Sequence, residues 1–276
     1  MSRKEFCDII DRERGKVGFV LGLGPSLKKH LPYLKKMSGK KHPIISCNNI
    51  DVMTDIKIDY WMLAQPTDFQ NPLHIPLAYE RYNRMGAFFL YTDCLDLTKR
   101  EEVESLLSVD YIGYDQRHFN SEKCGWKDAR GNDPICCEGM IEGRLCIQEE
   151  LQRYAGSDFR YGTGDTVGVH MIALGILLGL KEIYITGIDL DYSNGYVNNE
   201  FRSEEGKKAL GMSIDERIKM GMDSINRSPE MVDRIIDDMM TLKKISELVG
   251  TKIYQSVSKK SRIAEVFEYK SIGDAI

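Results

Sequence analysis

Apolar residues in this chain fall into short unbroken runs separated by stretches of helical periodicity, the pattern of buried strands that alternate with helices. The first run, Val17 to Leu21, breaks at Gly22-Leu23-Gly24 and passes through Pro25-Ser26 into Leu27, Leu31, Leu34 and Met37, with Lys28, Lys29, Lys35 and Lys36 between them. This predicts a strand, a tight turn and an amphipathic helix lying on a sheet. Pro43 to Cys47 reads as a second buried strand ending in Asn48-Asn49, Ile58 to Leu63 as a third, and Ala87 to Tyr91 as a fourth. Ahead of them, residues 1–16 carry one apolar patch, Phe6 to Ile10, and predict a short helix.

Between about residues 110 and 162 the pattern loosens, with a strand expected over Val109 to Ile112 and a helix over Glu142 to Tyr154. Order returns at Gly162 to His170, followed by Met171 to Leu180, apolar on every side and therefore a buried helix. At about 16 residues, with Asp165 and His170 inside it, this segment is too short and too polar for a bilayer, which needs ~20. It leads into the strand Lys181 to Thr186, which ends at Gly187-Ile188-Asp189. Residues 190–228 are rich in Asn, Gly, Ser and charge and lack a core pattern apart from a helical stretch at Ile214 to Met222. Placed just after a strand end, they read as a lid. Ser228-Pro229-Glu230 opens a helix whose stripe of Val232, Ile235, Met239, Leu242 and Ile245 runs to Gly250, and Lys252-Ile253-Tyr254 is the last strand. The expected architecture is a single α/β domain over 1–276: a Rossmann-like, mostly parallel sheet with helices on both faces and a lid insertion at 190–228.

Composition narrows the function. The chain has 276 residues, 42% hydrophobic, enough for a sizeable core. With 38 basic and 42 acidic residues the net charge is −4, which argues against nucleic acid as a partner. The first residues lack the apolar core of a signal peptide, so a cytoplasmic protein with no membrane span is expected. Seven cysteines fit that compartment as thiols. Cys124, Cys136, Cys137 and Cys146 cluster near His118 but form no Cys-x-x-Cys pair, so structural zinc is not expected.

The candidate chemistry centres on the glycine turn. A strand, a turn and a helix start place backbone N–H groups and the positive end of a helix dipole against a phosphate. Gly22 lets the chain turn, Gly24 lets it approach a ligand, Pro25 fits the first helical position, and the Ser26 hydroxyl reaches the same anion. An ordinary tight turn has the same spelling, and the third glycine of the dinucleotide fingerprint is missing, which disfavours NAD. Asn48 and Asn49 follow a strand's carboxyl end, the edge where open α/β sheets bind ligands. Asp189 lies at another such end and has three readings: general base for an acceptor hydroxyl, Mg²⁺ ligand, or cap of the following turn. His170 reads as a satisfied core histidine.

Gly22-Leu23-Gly24-Pro25-Ser26-Leu27, Cys47-Asn48-Asn49, the run Gly168 to Asp189 and Lys252-Ile253-Tyr254 resemble, in order, the landmarks of bacterial CMP-sialic-acid-dependent sialyltransferases. They equally resemble the 6-hydroxymethylpterin diphosphokinase MptE-like family, many of whose members accompany surface-glycan genes. The most specific part is Leu178 to Asp189. The sialyltransferase resemblance implies that Gly22, Gly24, Pro25, Ser26, Asn48, Asn49, Thr166 and Gly168 hold the nucleotide. It also implies tyrosines after the Gly-Ile-Asp that assist the leaving phosphate, where Tyr192 and Tyr196 stand here. The histidine that family carries before its last long helix has no counterpart, the nearest residues being Asn226 and Arg227. Candidate catalytic residues are therefore Asp189, Asp191, Tyr192, Tyr196 and Arg227. The expected function is transfer from a nucleotide-activated sugar, CMP-linked by the resemblance, to a glycan or other small acceptor in surface-glycan synthesis. The alternatives are an MptE-like diphosphokinase moving pyrophosphate from ATP, in which Mg²⁺ would sit on Asp189, and a nucleotide-binding protein without catalysis. A homo-oligomer is compatible with either enzyme.

Overall fold

The structure is a computed structural model that describes residues 3–37, 41–47, 50, 56–63, 83–92, 105, 107–115, 145–161, 166–190 and 229–275. Nine strands form one sheet: β1 Val17–Leu21, β2 Ile44–Cys47, β3 Tyr60–Leu63, β4 Phe88–Thr92, β5 Tyr111–Asp115, β6 Leu145–Cys146, β7 Glu182–Thr186, β8 Lys252–Gln255 and β9 Glu268–Tyr269. Their order is β6-β5-β4-β3-β2-β1-β7-β8-β9, and every adjacent pair is parallel. Among the described residues the α-helices are α1 Ser26–Met37, α2 Ile147–Ala155, α3 Val167–Leu177 and α4 Pro229–Leu248.

Alternation along the strands divides the core in two. Phe19 and Leu21 of β1, Trp61, Phe89 and Tyr184 pack on one face with Leu27, Leu34 and Met37 of α1. Val20, Ile45, Met62, Leu90, Ile183 and Ile185 pack on the other with α3 and with Ile235, Met239, Leu242 and Ile245 of α4. Because strands covered on both faces cannot show polar alternation, they appear as the unbroken apolar runs of the sequence. Every residue of α3 from Gly168 to Leu177 is buried, as its all-round apolarity predicts. Among the described residues no helix is long and apolar enough to cross a membrane.

The short helix expected at the N-terminus is a single 3₁₀ turn, Phe6–Asp8. Its continuation instead gives its backbone bonds to the end of α3, with the N–H of Asp11 and of Glu13 donating to the carbonyls of Leu177 and Leu178 at 2.9 Å each. Phe6 and Ile9 are thereby driven into the core. The fifth strand lies two residues beyond its expected start, the helix expected from Glu142 begins at Ile147 behind β6, and β9 extends the sheet beyond the last expected strand. Asp165, Ile214 to Met222 and nearly all of the expected lid, residues 191–228, lie outside the described residues.

Candidate functional site

The centre of the sheet is the pair β1 and β7, in register from Val17 opposite Glu182 to Leu21 opposite Thr186. From β1 the sheet grows outward through β2 to β6, and from β7 in the opposite direction through β8 and β9. The chain order reverses between them, and such a switch point opens a crevice at the carboxyl ends of the strands. Gly22 and Gly187 stand there side by side. The ladder continues past the strands, with Gly22 N–H donating to Thr186 O at 2.8 Å and Gly24 N–H to Gly187 O at 2.7 Å. Gly187 has φ +73, and a Cβ on it would lie 3.2 Å from Gly22 Cα and closer still to the Gly22 carbonyl. The two turns can touch only because neither residue carries a side chain.

Helix α1 starts at Ser26, one residue after Pro25, whose carbonyl accepts the Lys28 N–H at 3.2 Å. The Asp189 carboxylate lies over this N-terminus. Ser26 N–H donates to Oδ1 at 3.2 Å and to Oδ2 at 3.3 Å, and Ser26 Oγ donates to Oδ2 at 3.0 Å. Gly187 N–H donates to Ser26 Oγ at 2.9 Å, which closes the network. A Cβ at Gly24 would lie 2.8 Å from Gly187 O and nearer still to the carboxylate. The close approach that Gly24 permits is therefore that of the protein's own anion, and the Ser26 hydroxyl is engaged with it. A negative group at this pole of the dipole is favourable by ~0.3–1 kcal/mol. Asp189 thus caps α1, which precedes it by 163 residues.

Among the remaining described candidates, Gly168 meets the same loop. Thr166 is the N-cap of α3, its Oγ1 accepting from Gly168 N–H at 3.3 Å. Gly168 abuts Ile188, whose Cδ1 lies 2.9 Å from the place of a Cβ. His170, two residues further on, is fully buried with Nδ1 2.8 Å from the Tyr161 hydroxyl. Asn48, Asn49, Asp191, Tyr192, Tyr196 and Arg227 lie outside the described residues. Among the described residues, no three His, Cys, Asp or Glu group so that they could hold a metal ion.

One contributor was missed by the sequence reading. Ser261, in the loop after β8, donates from Oγ to the Asp189 carbonyl at 2.9 Å. The loop begins by extending the ladder, Ser256 N–H donating to Ile185 O at 2.7 Å. Two side chains of α1 hold it from below: Lys29 Nζ donates to Val257 O at 2.5 Å, and His30 Nε2 lies 2.8 Å from Ser256 O. Burial pushes the His30 pKa down, favouring the neutral ring. The signal for this loop was its position at a strand's carboxyl end, the criterion that singled out Asn48 and Asp189.

No protein-family model and no curated protein matches the chain. Among solved structures it is similar to the sialyltransferase CstII from Campylobacter jejuni in complex with a substrate analogue, CMP-3FNeuAc, at 16% identity and a TM-score of 0.45, over 92% of this chain and 85% of that one. It is also similar to the same enzyme in complex with cytidine-5′-monophosphate, at 12% identity and a TM-score of 0.43, over 92% and 84% of the two chains. A likeness at this level transfers no residue role to the present chain.

Proposed function

We propose that this chain is a transferase that uses a nucleotide-activated sugar, with a CMP-linked sugar as donor, bound in the crevice where the sheet reverses between β1 and β7. The observation that carries the reading is the meeting of Gly22–Ser26 with Gly187–Asp189 at that switch point, the place where open α/β sheets take their ligands. The order of the Gly-x-Gly-Pro-Ser-Leu, Cys-Asn-Asn and Gly-Ile-Asp motifs supports the same choice of donor. Gly168, whose N–H is capped by Thr166, abuts Ile188 beside the site, and Asn48 and Asn49 follow β2, the next strand along the sheet.

Sugar transfer asks for a base on the acceptor hydroxyl and for donors or positive charge on the departing phosphate. Both oxygens of Asp189 accept from Ser26, so in this reading Asp189 positions the glycine turn. The base is then Asp191, with Tyr192, Tyr196 and Arg227 supplying hydrogen-bond donors and positive charge to the departing phosphate. A diphosphokinase would need Asp189 as a ligand to Mg²⁺, in competition with the Ser26 donors, and this weighs for sugar transfer.

The test is product release. Incubated with a CMP-linked sugar and a panel of glycan acceptors, the protein should release CMP at a rate raised by an acceptor. Release of AMP from ATP and Mg²⁺ in the presence of a hydroxymethylpterin, with no CMP released from the sugar nucleotide, would replace the reading by the diphosphokinase.

A further inference from the structure

Asp189 occupies the positive end of α1, so a donor phosphate entering this crevice meets a carboxylate where the glycine turn would otherwise offer an anion site. Its charge must be met from elsewhere on the rim. The loop after β8 carries Ser258-Lys259-Lys260-Ser261-Arg262, three cations in five residues. Arg262 is committed, with Nη2 2.9 Å from Asp233 Oδ1 and Nε 2.6 Å from Glu265 Oε1. Lys259 and Lys260 are exposed, and among the described residues neither forms an ion pair. Lys259 Nζ lies 5.6 Å from the centre of the Tyr269 ring at the end of β9, a contact that leaves its charge available to solvent and ligand.

What distinguishes this loop from a solvated turn is how firmly it is built. The fully buried Gln255 accepts from the N–H groups of Val257 at 2.9 Å and Ser258 at 3.2 Å through Oε1, and donates to Ser258 O at 3.2 Å through Nε2. Ser256 Oγ donates to Lys270 O at 2.5 Å. With the clamps from Lys29 and His30 below and Ser261 on the Asp189 carbonyl, the two lysines stand on a fixed turn beside the crevice. Ordering entropy that a mobile lysine loop would lose on binding is in large part already spent.

From this juxtaposition we infer that Lys259 and Lys260 form the phosphate-facing wall of the site and select a donor by the negative charge on its phosphate. The inference rests on the nucleotide reading above. In this arrangement the glycine turn faces the uncharged nucleoside and the basic turn faces the phosphate.

The experiment compares CMP with cytidine, which lacks the phosphate, by calorimetry on the full chain and on the double variant Lys259→Ala, Lys260→Ala. Both positions are on the surface, and an unchanged melting temperature will show that the variant folds. The expected result is a loss of CMP affinity of about tenfold or more, cytidine affinity within about twofold of the parent, a shallower dependence of CMP affinity on salt, and recovery of CMP affinity in Lys259→Arg, Lys260→Arg. CMP binding by the parent that the double alanine variant retains, or an equal loss for CMP and cytidine, overturns the inference alone. A parent that binds neither ligand overturns the inference together with the reading beneath it.

Discussion

Gly22 and Gly187 face each other across the β1–β7 junction so closely that a Cβ on Gly22 would lie 2.7 Å from the Gly187 carbonyl carbon. The backbone of Gly187 is also left-handed, at φ +73. Gly187→Ala therefore combines a strained backbone, at about 1–2 kcal/mol, with a clash against backbone that cannot move without separating the two strands. Gly250 has the same kind of backbone, φ +77, with nothing within 4 Å of the Cβ position. In urea denaturation Gly250→Ala should lose about 1 kcal/mol and Gly187→Ala at least twice that. Equal losses would show that the two turns do not depend on their contact.

Asp189 and Ser26 make the second prediction. Asp189→Ala removes the acceptor from the α1 N-terminus and should cost about 0.5–2 kcal/mol, as loss of a helix cap does. Asp189→Asn keeps an acceptor and loses the charge beside the dipole, so its cost should be smaller, about 0.3–1 kcal/mol. The same asparagine variant should keep CMP affinity near the parent value, with or without Mg²⁺. A fall in affinity seen only with Mg²⁺ would make Asp189 a metal ligand.

His30 makes the stability depend on pH. Burial lowers its pKa below the ordinary 6.5, the Ser256 carbonyl opposes this by favouring the charged ring, and Lys29 adds to the lowering. Below about pH 6.5 the unfolded chain therefore binds more protons at this residue than the folded one. The contribution of His30 is complete above that value and is lost as the pH falls through its lower folded-state pKa. Between about pH 7 and about pH 5 the melting temperature of the parent should fall more than that of His30→Gln, which keeps a donor for Ser256. Parallel curves would exclude the histidine as a source of the pH dependence.

The central strands β1, β2 and β7 were legible because both of their faces are buried, which writes them as apolar runs closed by glycine, asparagine or polar residues. Helix α3 was legible because it is buried on all sides. Strands β6 and β9 have two residues each, too few for any period to register. At the start of the chain Phe6 and Ile9 enter the core from a single 3₁₀ turn, and their neighbours donate backbone hydrogen bonds to the end of α3, a contact that no local pattern signals. The glycine turn and Asp189 were each recognised as lying at strand ends. Their hydrogen-bonded union spans 163 residues and is set by the parallel register of β1 with β7, which no local pattern encodes. Ser261 went unseen for the same reason.

The central claim is that a nucleotide sits where β1 and β7 diverge. Backbone amide shifts of the isotope-labelled chain, followed during titration with CMP, test it most directly. The account predicts saturable shifts concentrated at residues 22–27 and 187–190, with smaller ones at Thr166 and Gly168. Saturable binding that leaves those amides unmoved, or no response to CMP or to any other nucleotide, would contradict it.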